Sequence, residues 1–425
     1  MRIAVRPSVM ALSGSRARHG ISRLIGFGTS VLLLAAVSLA AIPAMVAADG
    51  AAAWGAIALG QAVGTVGVTL VNYGWGLSGP AAISMATATA RTRVYKDSVR
   101  VRLFLFLPVA VAAGIAASVI VPSNPLFAAA GSISTTATGL TGSWYFIGVA
   151  RPYAFLVLET VPRAGGTVLA ILLMKLGFNA IVGLVCITGG MFLAFVLVTY
   201  WVYLSNRRAG AIQTPGSPLR ELLRSQRSGL FSMVIVNIYA AAPIAIYSIV
   251  EPATQPVFAL ANKIQLQLVV GLSPVVDVMQ SWVPRAVGRS RLKRAEIAVG
   301  SVLAFSSIAA VVFVAIGEKL FAWLGRGEIE FTNTVVLLVA LTIIVNLLDG
   351  TFRRAILPTY GKLNVVMRAT FVSALIGLPM VGLGARYAGV DGALGGAIVG
   401  ICIRIAIEAF GYVRVRQEFV EGVKN

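Results

Sequence analysis

Lys263 is the residue whose setting most invites chemistry. It stands in a long apolar stretch with Asn262, Gln265 and Gln267 close by. A cation inside a spanning segment is costly and ordinarily faces a protein interior or a water-filled cavity. The chemistry open to it there is contact with an anion on a cavity wall. The bland alternatives are a lysine whose ammonium reaches the membrane interface, or one clamped to a neighbouring helix. Asn262 and Gln265 lie within one helical turn of it and share the candidacy as substrate contacts. Gln61 joins them through an internal similarity. The stretch Asp49-Gly-Ala-Ala-Ala-Trp54 runs on to Gln61, and Glu251-Pro-Ala-Thr-Gln-Pro256 runs on to Lys263, with the same acid-to-polar spacing. Each copy continues to a proline, Pro80 or Pro284, and then to a basic loop.

Two further pairs have the i,i+4 spacing that places side chains on one helix face: Glu159 with Arg163, and Arg404 with Glu408. An ion pair within one helix neutralises itself and eases insertion, and this is the plainer reading. Substrate contact by Arg163 and Arg404 is the functional one. Pro162 lies inside the first pair and is placed to kink its helix. Asp277 and Asp349 fall near span ends, with Arg353 one turn after Asp349; salt bridges are expected there, with proton coupling as the alternative. Asn72, Asn237 and Asn346 are single polar residues in apolar runs, expected to hydrogen-bond between helices.

Several chemistries are missing. The only histidine, His19, lies in a basic tail, and Cys186 and Cys402 sit in apolar runs without metal or disulfide spacing. No Walker A loop, Gly-x-Ser-x-Gly, His-Glu-x-x-His or Cys-x-x-Cys occurs. The sequence reads as a non-enzyme, with no cofactor and no metal site.

The elements that must position these residues are membrane spans. Hydrophobic residues make up 58% of the 425 and charged residues 12%, against roughly 45–50% and 25% in soluble domains; mean hydropathy is +0.88. Segments of roughly 20 apolar residues, the length a spanning helix needs, fall near 21–47, 53–78, 103–122, 126–149, 154–175 and 179–204. A second set falls near 229–250, 254–282, 296–317, 332–352, 367–384 and 393–413. The second and eighth are too long for a straight crossing. An all-α polytopic membrane protein of about twelve spans follows, as an N-terminal six-helix bundle (1–204), a cytoplasmic connector (205–228, with Pro215, Gly216 and Pro218) and a C-terminal six-helix bundle (229–425).

The formal charge of +20 fits this topology. Basic residues gather in the N-terminal tail and on alternate loops, as in Arg91, Arg93, Lys96, Arg100 and Arg102, or Arg285, Arg289, Arg291, Lys293 and Arg294. That is the positive-inside pattern, with an even span count putting both termini in the cytoplasm. Nucleic acid is therefore not an expected partner. The first apolar stretch is longer than a signal peptide's apolar core of about 7–15 residues, so it is expected to remain as a span.

Four stretches carry a resemblance. Ser143-Trp-Tyr-Phe-Ile-Gly148, followed by Arg151 and Tyr153, resembles the Trp-Phe-x-x-Gly signature closing the fourth span of polysaccharide flippases. Glu251 through Lys263 resembles their Gly-Pro-x-x-x-Gly-x-Tyr-x-x-Ala-x-Arg entry to span eight, with Glu-Pro for Gly-Pro and lysine where arginine is frequent. Tyr360-Gly-Lys-Leu363 resembles their loop after span ten, and Arg386 through Ala397 resembles the Tyr-Gly-x-x-Gly-Ala-Ala segment before the last span. Together they resemble the Wzx-type branch of the multidrug/oligosaccharidyl-lipid/polysaccharide (MOP) exporter superfamily. The span count is two short of the lipid II flippase branch.

The resemblance implies two bundles around a V-shaped central cavity in the cytoplasmic membrane, exchanging access by rocking. It implies a polyprenyl-pyrophosphate-linked oligosaccharide as substrate, for surface-polysaccharide biosynthesis in the cell envelope. Membrane lipids and other polysaccharide-assembly proteins are the expected partners, and a proton or sodium ion is the candidate coupling ion. The alternatives are a small-molecule cation antiporter of the same architecture and a membrane-embedded enzyme of glycan assembly.

Overall fold

The computed structural model describes residues 9–208 and 218–421. Arg2, Arg6, Pro215, Gly216 and Lys424 lie outside the described residues. Every regular element among the described residues is helical. The order is α1 (Val9–Asn72), α2 (Trp75–Met85), α3 (Ala88–Ile120), α4 (Pro125–Thr136), α5 (Ser143–Val149), α6 (Pro152–Phe155) and α7 (Val161–Lys175). There follow α8 (Ala180–Arg208), α9 (Leu219–Val250), α10 (Gln255–Leu272), α11 (Pro274–Trp282), α12 (Arg289–Gly325), α13 (Asn333–Gly350) and α14 (Leu363–Glu421).

Local chemistry sets many of these boundaries. Pro162, Pro256 and the first residue of α11, Pro274, lie in the first turn of their helices, where a missing N–H costs nothing. Thr332 caps α13 by accepting from the Val335 N–H at 3.3 Å. The α1 helix is broken at Gly50, between the first and second expected spans. The expected overlong spans are both interrupted, the second at Tyr73–Gly74 and the eighth at Ser273. The fourth expected span is not one helix but α4, a 3-10 turn at Ala137–Leu140, and α5.

Seven helical stretches among the described residues are long and apolar enough to cross a membrane. The pair Asn237–Val250 and Pro252–Leu272, bent by 119° about Glu251, makes eight. Two of the seven run for 47 and 55 residues, far beyond the roughly 20 that one crossing needs. Large apolar side chains such as Leu107, Val119, Val311 and Phe371 are exposed, as expected where lipid is the solvent. The protein is thus an all-helical, polytopic membrane protein.

The described residues fall into two compact units. The first comprises those up to Ala41, Gly67–Ala112 and Ser134–Val234. The second comprises Ile42–Val66, Ala113–Ile133 and everything from Ile235 onward, so it draws on both halves of the sequence.

The first unit is centred on aromatic rings. Trp144, Tyr145 and Phe146 of α5 are buried against Trp75, Tyr95, Phe155 and Val202. Trp75 and Trp144 have ring centroids 5.6 Å apart, and Tyr95 stacks on Trp144 at 5.9 Å. The Ser143–Gly148 motif therefore builds a core. Gly148 lets α5 approach α2, because a methyl group there would stand 2.9 Å from the Pro80 carbonyl oxygen. The second unit packs Phe352, Ile356, Leu357, Val283, Leu292 and Tyr412 together.

Each unit also contains a helical hairpin closed by glycine. In the first, α7 and α8 run antiparallel, with Gly166 against Gly190 and Met174 against Gly183. In the second, α14 reverses at Ala388–Gly389, where Gly389 has φ +55°, a conformation that costs glycine little. Its two arms meet at Gly377 against Gly400 and at Gly384 against Gly392. A methyl group on Gly166 would stand 2.9 Å from the Gly190 Cα, and one on Gly377 would stand 2.9 Å from the Gly400 Cα. Such small-residue crossings let backbones close in lipid, where apolar burial does not drive helices together.

Candidate functional site

The Lys263 site is assembled in the second unit by close backbone packing. On the α1 stretch after Gly50, Gly60 lies directly on the Ala128 carbonyl of α4, and a methyl group on Gly131 would stand 3.1 Å from the Ile57 Cα. At the start of α10, the buried Gln255 amide donates to the Gly55 carbonyl at 2.8 Å. A side chain at Gly55 would collide with Gln255 and reach within 3.0 Å of Pro256. These contacts fix the facing of α1 and α10 two turns further on. There the Lys263 Nζ donates to the Gln61 Oε1 at 3.0 Å. The structure thus brings together the two positions that the internal similarity equates.

An ammonium has three donors, and Gln61 takes one. Among the described residues Lys263 forms no ion pair, so its only partner here is neutral. Asn262 and Gln265 are half-buried.

A second polar cluster lies in the first unit. Leu156–Thr160 is a turn of π-helix, a local widening often found at functional positions. It carries Glu159, which is fully buried. The Glu159 carboxylate accepts from the Gly142 N–H at 2.8 Å, from the Thr141 hydroxyl, and from Arg163 at 3.3 Å. The expected Glu159–Arg163 pair is therefore formed, and it ties Arg163 to the protein. Arg102 departs from expectation. The basic-loop pattern included it, yet it is fully buried within α3, lies over the Trp144 ring at 5.7 Å and donates to the Thr141 carbonyl. Its guanidinium and the Glu159 carboxylate meet on one residue, Thr141.

The third cluster, in the second unit, corrects another expectation. Arg404 does not pair with Glu408. Its guanidinium reaches across to Asp349 on α13, while Arg353 approaches the other Asp349 oxygen at 3.5 Å. Spacing along one helix cannot register a carboxylate carried in by another. Glu408 is 0% exposed, and neither of its oxygens has a hydrogen-bond partner among the described residues. Arg353 lies within a second π-helical turn, Thr351–Ile356.

The remaining polar residues divide. Asp277 pairs with Arg354 at 3.4 Å, as a salt bridge at a span end should. Asn346 donates to Thr342 of its own helix at 2.8 Å rather than to a neighbour. The Asn72 Oδ1 is buried without a hydrogen-bond partner among the described residues. A cavity of about 650 Å³ in the second unit is rimmed by Glu328, Glu330 and Asp391, with Thr254 and Thr332 alongside; sequence reading passed over Asp391. Among the described residues no cluster of histidine, cysteine or carboxylate side chains is arranged to hold a metal.

No protein-family model matches the chain, and no curated protein matches it by sequence. Solved structures do. An inward-facing multidrug-resistance MATE family transporter of the MOP superfamily superposes with a TM-score of 0.66 at 14% identity, over 94% of this chain and 96% of that one. The fold is that of the MATE transporters of the MOP superfamily. A eukaryotic MATE transporter gives a TM-score of 0.57 at 13% identity, over 92% and 93% of the two chains. An outward-facing structure of a multidrug-resistance MATE transporter gives 0.53 at 14% identity, over 95% and 96%. Likeness at this identity shows the fold alone, and function has to be argued from side chains.

Proposed function

We propose that this protein flips a polyprenyl-pyrophosphate-linked oligosaccharide across the cytoplasmic membrane by alternating access, as a step in surface-polysaccharide biosynthesis. In this reading the chain crosses about twelve times, in two bundles of about six around a V-shaped cavity, with the basic loops on the cytoplasmic side. The breaks at Gly50 and at Ala388–Gly389 support the count, since each divides an overlong helix into stretches of crossing length. The matching glycine crossings of the two hairpins support the duplication.

The single observation that carries the cargo is Lys263. It is a cation held by a neutral carboxamide, with no carboxylate bound to it among the described residues. A pyrophosphate is the complement of such a group. Moving its charge through hydrocarbon unaided is prohibitive, and a fixed cation lowers that cost. Gln61, Asn262 and Gln265 are the polar groups beside it for sugar or phosphate oxygens. Arg163 and Arg404 are engaged by Glu159 and Asp349, which makes them supports of the helices rather than cargo contacts.

One observation favours a second reading, a cation antiporter. The 650 Å³ cavity is rimmed by three carboxylates, a lining suited to a cationic cargo. Complementation of surface-glycan export separates the two. Lys263→Arg is expected to sustain export and Lys263→Ala to abolish it at equal membrane abundance. Full export by Lys263→Ala, or resistance to cationic drugs in its place, overturns the flippase reading.

A further inference from the structure

The geometry points to Glu408 as a proton-binding site, with Arg404 as the switch that reads its charge. This rests on the transporter reading above and supplies its coupling ion. Glu408 lies on the second arm of α14 and is 0% exposed, and among the described residues neither carboxyl oxygen has a donor. An ionised carboxylate taken out of water without a partner costs several kcal/mol at least, so in this arrangement the carboxyl carries a proton.

The charged groups facing it are Asp349 and Arg353 from the α13 side and Arg404 from its own helix. With the proton present, Arg404 is free to leave its i,i+4 neighbour and bind Asp349, which is the arrangement observed. Loss of the proton converts the carboxylic acid to a carboxylate. The nearest guanidinium able to reach it along the helix is that of Arg404, four residues earlier. Arg404 would then swing from Asp349 to Glu408, and Arg353, already 3.5 Å from Asp349, would retain that carboxylate alone.

The two arrangements differ by one proton and one exchanged ion pair, which makes a bistable element of the kind that biases conformational equilibria. The π-helical turn Thr351–Ile356 begins two residues after Asp349 and carries Arg353, so the exchange would pull on backbone already out of α-helical register. A metal cation suits the site poorly. Two guanidinium groups stand beside it, and only two carboxyl groups are within reach.

Infrared difference spectroscopy on the purified protein in phospholipid vesicles tests the site itself. At neutral pH the wild type should show the carbonyl stretch of a protonated carboxylic acid, shifted by deuterium exchange. The band should vanish in Glu408→Gln, move in Glu408→Asp and persist in Asp277→Asn. Absence of the band, or its survival in Glu408→Gln, overturns the inference. Should Glu408→Gln fail to fold, the band position in Glu408→Asp decides alone, and an unmoved band overturns it. Coupling is read in vesicles enclosing a pH dye, with polyprenyl-pyrophosphate oligosaccharide added outside. Proton counterflow is expected in the wild type and lost in Glu408→Gln. A Glu408 band with no response to the oligosaccharide defeats the cargo reading and leaves the site standing. Transport of the oligosaccharide without the band does the reverse.

Discussion

Replacing Arg404 by leucine removes the guanidinium that joins the second arm of α14 to α13. Asp349 and Arg404 are both buried, and breaking such a pair from one side costs about 3–5 kcal/mol because a charge is left uncompensated. Two features reduce that figure. Arg353 stays 3.5 Å from the second Asp349 oxygen, and its side chain is 37% exposed, so the remaining pair is partly solvated. Glu408 is already without a donor and loses no hydrogen bond. A net loss of about 2–4 kcal/mol follows. The double replacement Asp349→Leu with Arg404→Leu removes both charges and leaves apolar volume in their place. Buried pairs replaced in this way are often neutral or stabilising, so the double variant should unfold within about 1 kcal/mol of the wild type. Denaturant titration in mixed micelles, followed by tryptophan fluorescence, gives the four corners of the cycle. A single Arg404→Leu variant as stable as the wild type would refute the reasoning, and so would a double variant as unstable as the single.

Three further outcomes are expected. Gly190→Val and Gly400→Val should each separate a hairpin, since even a methyl group on Gly190 stands 2.7 Å from the Pro162 carbonyl and one on Gly400 stands 3.0 Å from the Gly377 Cα; both should lower folded yield by size-exclusion chromatography, while Val at Gly189, where a methyl group meets nothing within 4 Å, should not. Gln255→Leu removes the side-chain donor that ties α10 to the Gly55 carbonyl and should cost about 1 kcal/mol, read as a lower thermal midpoint. Gln61→Glu replaces a carboxamide 3.0 Å from the Lys263 Nζ with a carboxylate; it should reduce export to the level of Lys263→Ala without reducing the protein in the membrane, and undiminished export would count against Lys263 as the anion contact.

The helical class is legible in the sequence because lipid leaves composition and span length as strong signals. The breaks are legible too, where Asp49-Gly50 and Gly389 interrupt apolar runs. The pairing of Glu159 with Arg163 was legible because both partners lie on one helix. The pairing of Arg404 was not, because Asp349 comes from another helix and the i,i+4 rule sees only its own. Arg102 was hidden for a related reason. Beside Arg91, Arg93, Lys96 and Arg100 it looks like one more loop cation, and only the arrival of Trp144 and Thr141 from later in the chain makes it a core residue. Asn346 shows the reverse error: its partner Thr342 is one turn away on the same helix, so no neighbour is needed. At the candidate site, the equivalence of Gln61 and Lys263 was readable from matched spacing, whereas their hydrogen bond required the glycine packing that turns α1 and α10 toward each other.

The reversal at Ala388–Gly389 bears on how the chain is made. The reversal takes only two residues, so the partners of the first arm's glycines are the next part of the chain to be synthesised. Until the second arm has emerged, the first shows Gly377 and Gly384 bare to lipid or chaperone. A chain cut short between the arms therefore differs from a finished one by an unfilled glycine seam.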